Sequence, residues 1–106
     1  MIRAEFYRDS SDKLRGFRIT GHAGLAVYGQ DIACASVSSA VMLTANTITE
    51  AFGLKAEAKV KENEIYLRLE LDENGDGDRL LLGLLTHLYF ISDEFQGRIK
   101  ITFTEV

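Results

Sequence analysis

Cys34, His22 and His87 are the cysteine and the two histidines of this chain, and so its clearest candidates for nucleophilic and proton-transfer chemistry at neutral pH. Cys34 follows Asp31 by three residues. An aspartate there can cap a helix by accepting from the orphan amides of the first turn, which would put the thiol inside that turn. The partial positive charge of a helix N-terminus favours thiolate over thiol, and the thiolate is the nucleophile of cysteine-based peptide cleavage. The backbone N–H groups of Cys34 and Ala35 could then receive the oxyanion on the attacked carbonyl. His22 stands twelve residues earlier, before a loop with glycines at 21, 24 and 29 that could fold the imidazole back over the helix start. Ala33, Ala35, Ser36 and Ser38 are small enough to let a polypeptide approach, and Ser38 lies one turn beyond the thiol. The alternative for Cys34 is plain core, because Cys34, Val37, Val41 and Ile48 share one helical stripe.

The elements that must hold these residues are legible as alternations and periodicities. Ile2, Ala4 and Phe6 alternate with Arg3, Glu5 and Tyr7, and Phe17 and Ile19 with Arg18 and Thr20, so two strands should pair as a hairpin. Helical spacing of Val37, Val41, Ile48 and Phe52 predicts a helix over 31–53, stopped by Gly53. Ala56, Ala58 and Val60, then Ile65, Leu67, Leu69 and Leu71, predict a second hairpin. A leucine-rich helix over 78–94 and a strand on Ile99, Ile101 and Phe103 complete the order ββαββαβ. One-sided strands fit an α+β two-layer sandwich, with a mostly antiparallel sheet and both helices on one face. Leu80, Leu84, Tyr89, Phe90 and Ile91 widen the apolar surface of the second helix beyond the stripe of Leu81, Leu85, Leu88 and Phe95. Such a helix calls for more cover than one small domain supplies, so a homodimer is expected.

Composition bounds the rest. The 106 residues fit one domain, 1–106, and one cysteine with two histidines cannot build a disulfide or a Cys/His zinc site. A net charge of −4 disfavours a phosphate-tracking surface unless the basic residues cluster, so no direct nucleic-acid contact is expected. The start of the chain carries Arg3 and Glu5 instead of a signal peptide's apolar core, and the apolar run over 80–91 is too short to span a bilayer. A cytoplasmic protein without membrane contact, cofactor or metal is the expectation.

Three other patterns are weaker. Asp72-x-Asn74-x-Asp76-Gly77 resembles the start of an EF-hand loop, but Gly83 stands where the closing glutamate belongs, which leaves a solvated turn. Gly24 and Gly29 have P-loop spacing, but Gln30 and Asp31 replace the phosphate-binding lysine and its neighbour. His87 reads as a boundary histidine satisfied by a backbone carbonyl or a dimer partner.

Gly21-His22-Ala23, then Gly29-x-Asp31-Ile32-x-Cys34-Ala35-x-Val37-Ser38, resembles the signature of the ribosomal-processing cysteine protease family called Prp. The resemblance implies a cysteine endopeptidase with Cys34 as nucleophile and His22 as general base and acid. Gly21, Ala23, Gly29, Asp31, Ala35 and Ser38 would support the site or bind substrate. It further implies a small homodimeric α+β protein, a mobile segment over 23–33, and removal of a short N-terminal extension from large-subunit ribosomal protein twenty-seven. Whether Asp31 orients His22 or only caps the helix is left open by position alone. The rival to proteolysis is a non-catalytic ribosome-associated binding or assembly module.

Overall fold

The computed structural model describes residues 1–21 and 31–106, the side chain of Asp31 excepted. Strands β1 (Ile2–Arg8) and β2 (Leu14–Thr20) pair antiparallel, with Phe6 opposite Phe17. The turn between them is built on Asp9, whose carboxylate accepts from the amides of Ser11 and Lys13 at 2.9 and 3.0 Å, while Asp12 takes a left-handed φ of 66°. Helix α1 (Asp31–Asn46) follows, then β3 (Ala56–Lys61), β4 (Glu64–Leu69), α2 (Asp76–Glu94) and β5 (Ile99–Glu105).

The sheet runs β3-β4-β2-β1-β5, antiparallel except for the β1–β5 pair, which is parallel. Its inner face carries Ile2, Ala4, Phe6, Phe17, Ile19, Ile65, Leu67 and Leu69, all buried, and both helices pack against it. Val37 and Val41 from α1, Ile48 from the helical turn that continues it, and Leu81 and Leu88 from α2 are fully inaccessible in the same cluster. The expected α+β sandwich and element order therefore hold.

Four local features depart from the sequence reading. First, the helix over 31–53 is α-helical only to Asn46, and Thr47–Ala51 form a π-helical turn. Thr44, Thr47 and Thr49 each donate a hydroxyl to the carbonyl four residues back, and Phe52 N reaches Thr47 O, so a β-branched run widens the last turn. Gly53, at φ 62°, then lets Leu54 N close on Ile48 O. Second, α2 begins at Asp76 because the carboxylate of Asp72 accepts from the amides of Gly77 and Asp78 at 2.9 and 3.0 Å. Third, the inward alternation of β3 is only partly used: Ala56 is half-buried, but Val60 at this sheet edge is 61% exposed. Fourth, a second apolar stretch besides residues 80–91 is Ile32–Ala51. It is long and apolar enough to cross a membrane, yet its Val37, Val41 and Ile48 stripe is packed on the sheet.

Candidate active site

Gly21 directly follows β2 with φ 80°, a backbone state that side-chain-bearing L-residues avoid. A Cβ placed on it would lie 2.3 Å from the carbonyl oxygen of Met1, so glycine is required there for space as well as for conformation. The chain thus leaves the sheet beside the start of β1, one step before His22. His22, Ala23, Gly29 and the side chain of Asp31 lie outside the described residues, and so does most of the segment 23–33; only its last three residues, Asp31, Ile32 and Ala33, sit in α1.

Asp31 opens α1, which places Cys34 in the first turn as its sequence position requires. The thiol is 7% exposed, at the N-terminal end of a stripe whose next members, Val37 and Val41, have no accessible surface at all. Cys34 is therefore both a helix-start cysteine and the outermost member of the core stripe. Ala35 beside it is exposed and Ser38, one turn on, is half-buried. The partial positive charge of this helix N-terminus is placed to favour a thiolate and an oxyanion beside it.

Ser36, in the same stretch of α1, begins an open groove of about 580 Å³ between the two helices. Ser39, Ala40 and Leu43 of α1 form one wall, and Leu80, Gly83 and His87 of α2 the other. Gly83 has nothing within 4 Å of where its Cβ would be, so this stretch of the wall is open. His87 is exposed on that wall and was expected at a boundary. Sequence reading did not single out the groove, although small and hydroxyl side chains at 36, 39, 40, 44 and 47 repeat with helical spacing on the α2-facing side of α1.

The EF-hand-like run is a helix start. Asp72 is spent on the α2 amides, Asp76 pairs with Arg79 at 3.0 Å, and Asp78 accepts from Leu14 N at 2.7 Å, tying α2 to β2. At Gly77 a Cβ would sit 2.6 Å from a Leu69 methyl, so a larger residue there would have to push that side chain aside. Among the described residues no three His, Cys, Asp or Glu side chains gather in a way that would hold a metal ion.

The family model described as cysteine protease Prp matches residues 1–100. The chain belongs to the cysteine protease Prp family. It is 27% identical over 108 residues to the ribosomal processing cysteine protease Prp of Bacillus subtilis (strain 168), covering 96% of each chain. It is 25% identical over 105 residues to the Prp of Staphylococcus aureus (strain Mu50 / ATCC 700699), covering 97% of this chain and 99% of that one. The fold matches the crystal structure of the essential S. aureus Prp in complex with a substrate peptide, with a TM-score of 0.87, 22% identity and coverage of 98% and 100%. It also matches a crystal structure from Streptococcus mutans, with a TM-score of 0.85, 22% identity and coverage of 100% and 96%. Prp enzymes are cysteine proteases of ribosomal protein processing, and this chain is a cysteine protease of that family. The reading of a non-catalytic module gives way to that membership.

Proposed function

We propose that this Prp removes the short N-terminal extension of large-subunit ribosomal protein twenty-seven in the cytoplasm, acting as a one-domain homodimer with Cys34 and His22 as its catalytic pair. The observation that carries the proposal is the position of Cys34 in the first turn of α1, at the outer end of the core stripe. The thiolate attacks the scissile carbonyl carbon, a C–S bond forms, and the oxyanion is held by first-turn amides. His22 as imidazolium protonates the leaving amine as the C–N bond breaks. Neutral His22 then takes a proton from water, the hydroxide adds to the thioester, and C–S cleavage returns the thiolate. The S. aureus homologue with a covalently linked product peptide supports covalent chemistry in this family. The groove from Ser36 to His87, with its apolar walls, offers room for a hydrophobic stretch of substrate, and a net charge of −4 favours encounter with a basic ribosomal protein.

Dimer formation is supported by α2, whose Leu82, Tyr89 and Phe90 are 51%, 47% and 68% exposed along one outward side. The test is incubation with a peptide carrying the extension, followed by mass spectrometry. Wild type cuts it and alkylation of Cys34 stops the cutting, whereas Cys34→Ala and His22→Ala leave the peptide intact. An uncut peptide with wild type, or undiminished cutting by either variant, overturns the assignment. Sedimentation of wild type against Phe90→Glu reads the dimer separately: a wild type that sediments as a monomer refutes it.

A further inference from the structure

The outer face of the sheet divides the charge of the molecule unevenly. The outward strand positions carry six cations, Arg3, Arg18, Lys59, Lys61, Arg68 and Lys100, against three carboxylates, Glu5, Glu57 and Glu64. The remainder of the chain therefore holds six cations and thirteen carboxylates, out of totals of 12 and 16. The basic residues do cluster, which is the condition under which a net charge of −4 stops arguing against a phosphate-binding surface.

Register sets the cations in rows. One row runs Lys59–Tyr66–Arg18–Glu5–Thr102 across all five strands, and the next runs Lys61–Glu64–Thr20–Arg3–Lys100. Tyr66, half-buried near the middle, has the Arg18 guanidinium 5.7 Å and the Lys59 ammonium 5.9 Å from its ring centre, and it meets Tyr7 edge-on at 6.0 Å. Arg68 lies 5.8 Å from the Tyr7 ring. The carboxylate of Glu5 is turned to the hydroxyls of Tyr7 and Thr104, and among the described residues no carboxylate pairs with Arg3, Lys61, Arg68 or Lys100. Two shallow hollows, of about 280 and 180 Å³, meet at Arg18 and make the surface continuous from β3 to β5.

We propose that this sheet face binds single-stranded RNA, with the phosphate chain on the cations and a base against Tyr66. A flat face with an aromatic between cations suits a single strand, whose bases are free to stack, better than a duplex, whose grooves admit a projecting helix or ribbon. An acidic polypeptide would use the charge but not the ring. The inference stands apart from the proteolytic assignment, because none of these residues belongs to the proposed catalytic pair.

The test is fluorescence anisotropy of the full chain with a labelled oligouridine. A strand that engages four of the cations loses affinity about 50-fold between about 50 and 200 mM salt. The double variant Lys59→Ala/Arg68→Ala reduces that salt effect to about 7-fold, while Arg79→Ala, on the helix α2 that packs behind the sheet, leaves it unchanged. Lys61→Glu, at an exposed edge position, weakens binding without touching the core and serves if the double variant unfolds. No saturable binding by wild type at low salt, equal binding by wild type and both face variants, or displacement of the RNA by polyglutamate at matched charge overturns the proposal. Polyglutamate displacement would assign the face to an acidic protein instead.

Discussion

Gly21→Ala, set against Gly97→Ala, separates two costs that usually arrive together. Both glycines have nearly the same positive φ, 80° at Gly21 and 81° at Gly97, but a Cβ at Gly97 would meet nothing within 4 Å whereas at Gly21 it would stand 2.3 Å from Met1 O. The left-handed conformation costs an alanine about 1–2 kcal/mol at either site. Relief of the Gly21 contact requires the start of β1 to move, although Ile2 N is bonded to Arg98 O at 2.8 Å and Arg3 pairs with Thr20, so crowding adds about 1–3 kcal/mol there alone. Urea unfolding with both variants should therefore show Gly21→Ala less stable than Gly97→Ala by about 1–3 kcal/mol. Peptide cleavage should also fall in Gly21→Ala under conditions where it remains folded, because the displaced chain leads directly to His22. Equal destabilisation of the two variants would refute the crowding argument, and full activity in a destabilised Gly21→Ala would refute the link to the histidine.

Three further outcomes follow from the packing and the electrostatics. Asp72→Ala removes the acceptor of two α2 amides and should cost about 0.5–2 kcal/mol, and added calcium should not change the melting temperature of wild type, since those oxygens cap a helix. Leu88→Ala, at a site with no accessible surface, should cost about 2–5 kcal/mol by denaturant titration. The Tyr7 phenol is raised above 10.0 first by burial and then by the neighbouring Glu5 carboxylate. A raised folded-state value means that this stabilisation is complete below pH 10.0 and is lost as pH climbs through the folded value. Phenolate absorbance should therefore show a late-titrating component that Tyr7→Phe removes and that Glu5→Gln moves downward.

The strands with strict alternation, at Ile2, Ala4 and Phe6 and at Ile65, Leu67 and Leu69, were readable because a period of two on a one-sided sheet fixes which residues turn inward. The placement of Cys34 was readable for a similarly local reason, an aspartate opening a helix three residues before it. What did not show was whatever depends on partners distant in sequence. Asp72 reads as part of a solvated turn because the donors its carboxylate accepts from, the amides of Gly77 and Asp78, are set in place only once α2 forms. Val60 carried the right alternation but lies on an edge strand that the helices do not cover. The grouping of Arg3, Arg18, Lys59, Arg68 and Lys100 has no sequence signal at all, since strand order and register bring them together. The resemblance around Gly21 and Cys34 reached the family directly.

The pairing of β1 with β5 bears on when the molecule can finish folding. β1 lies between β2 and β5, and its contacts with β5 join residues as far apart as Glu5 and Thr104. During synthesis β1 and β2 can form their hairpin early, but one side of β1 keeps its amides and carbonyls unpaired until the final strand is made. So late a closure is slow, because the loop it joins is nearly the whole chain. A nascent protease of this design waits on its last strand and exposes a sticky sheet edge meanwhile. Variants that weaken Ile99 or Ile101 should therefore be seen first as lost soluble yield, before any change in the catalysis of the molecules that do fold.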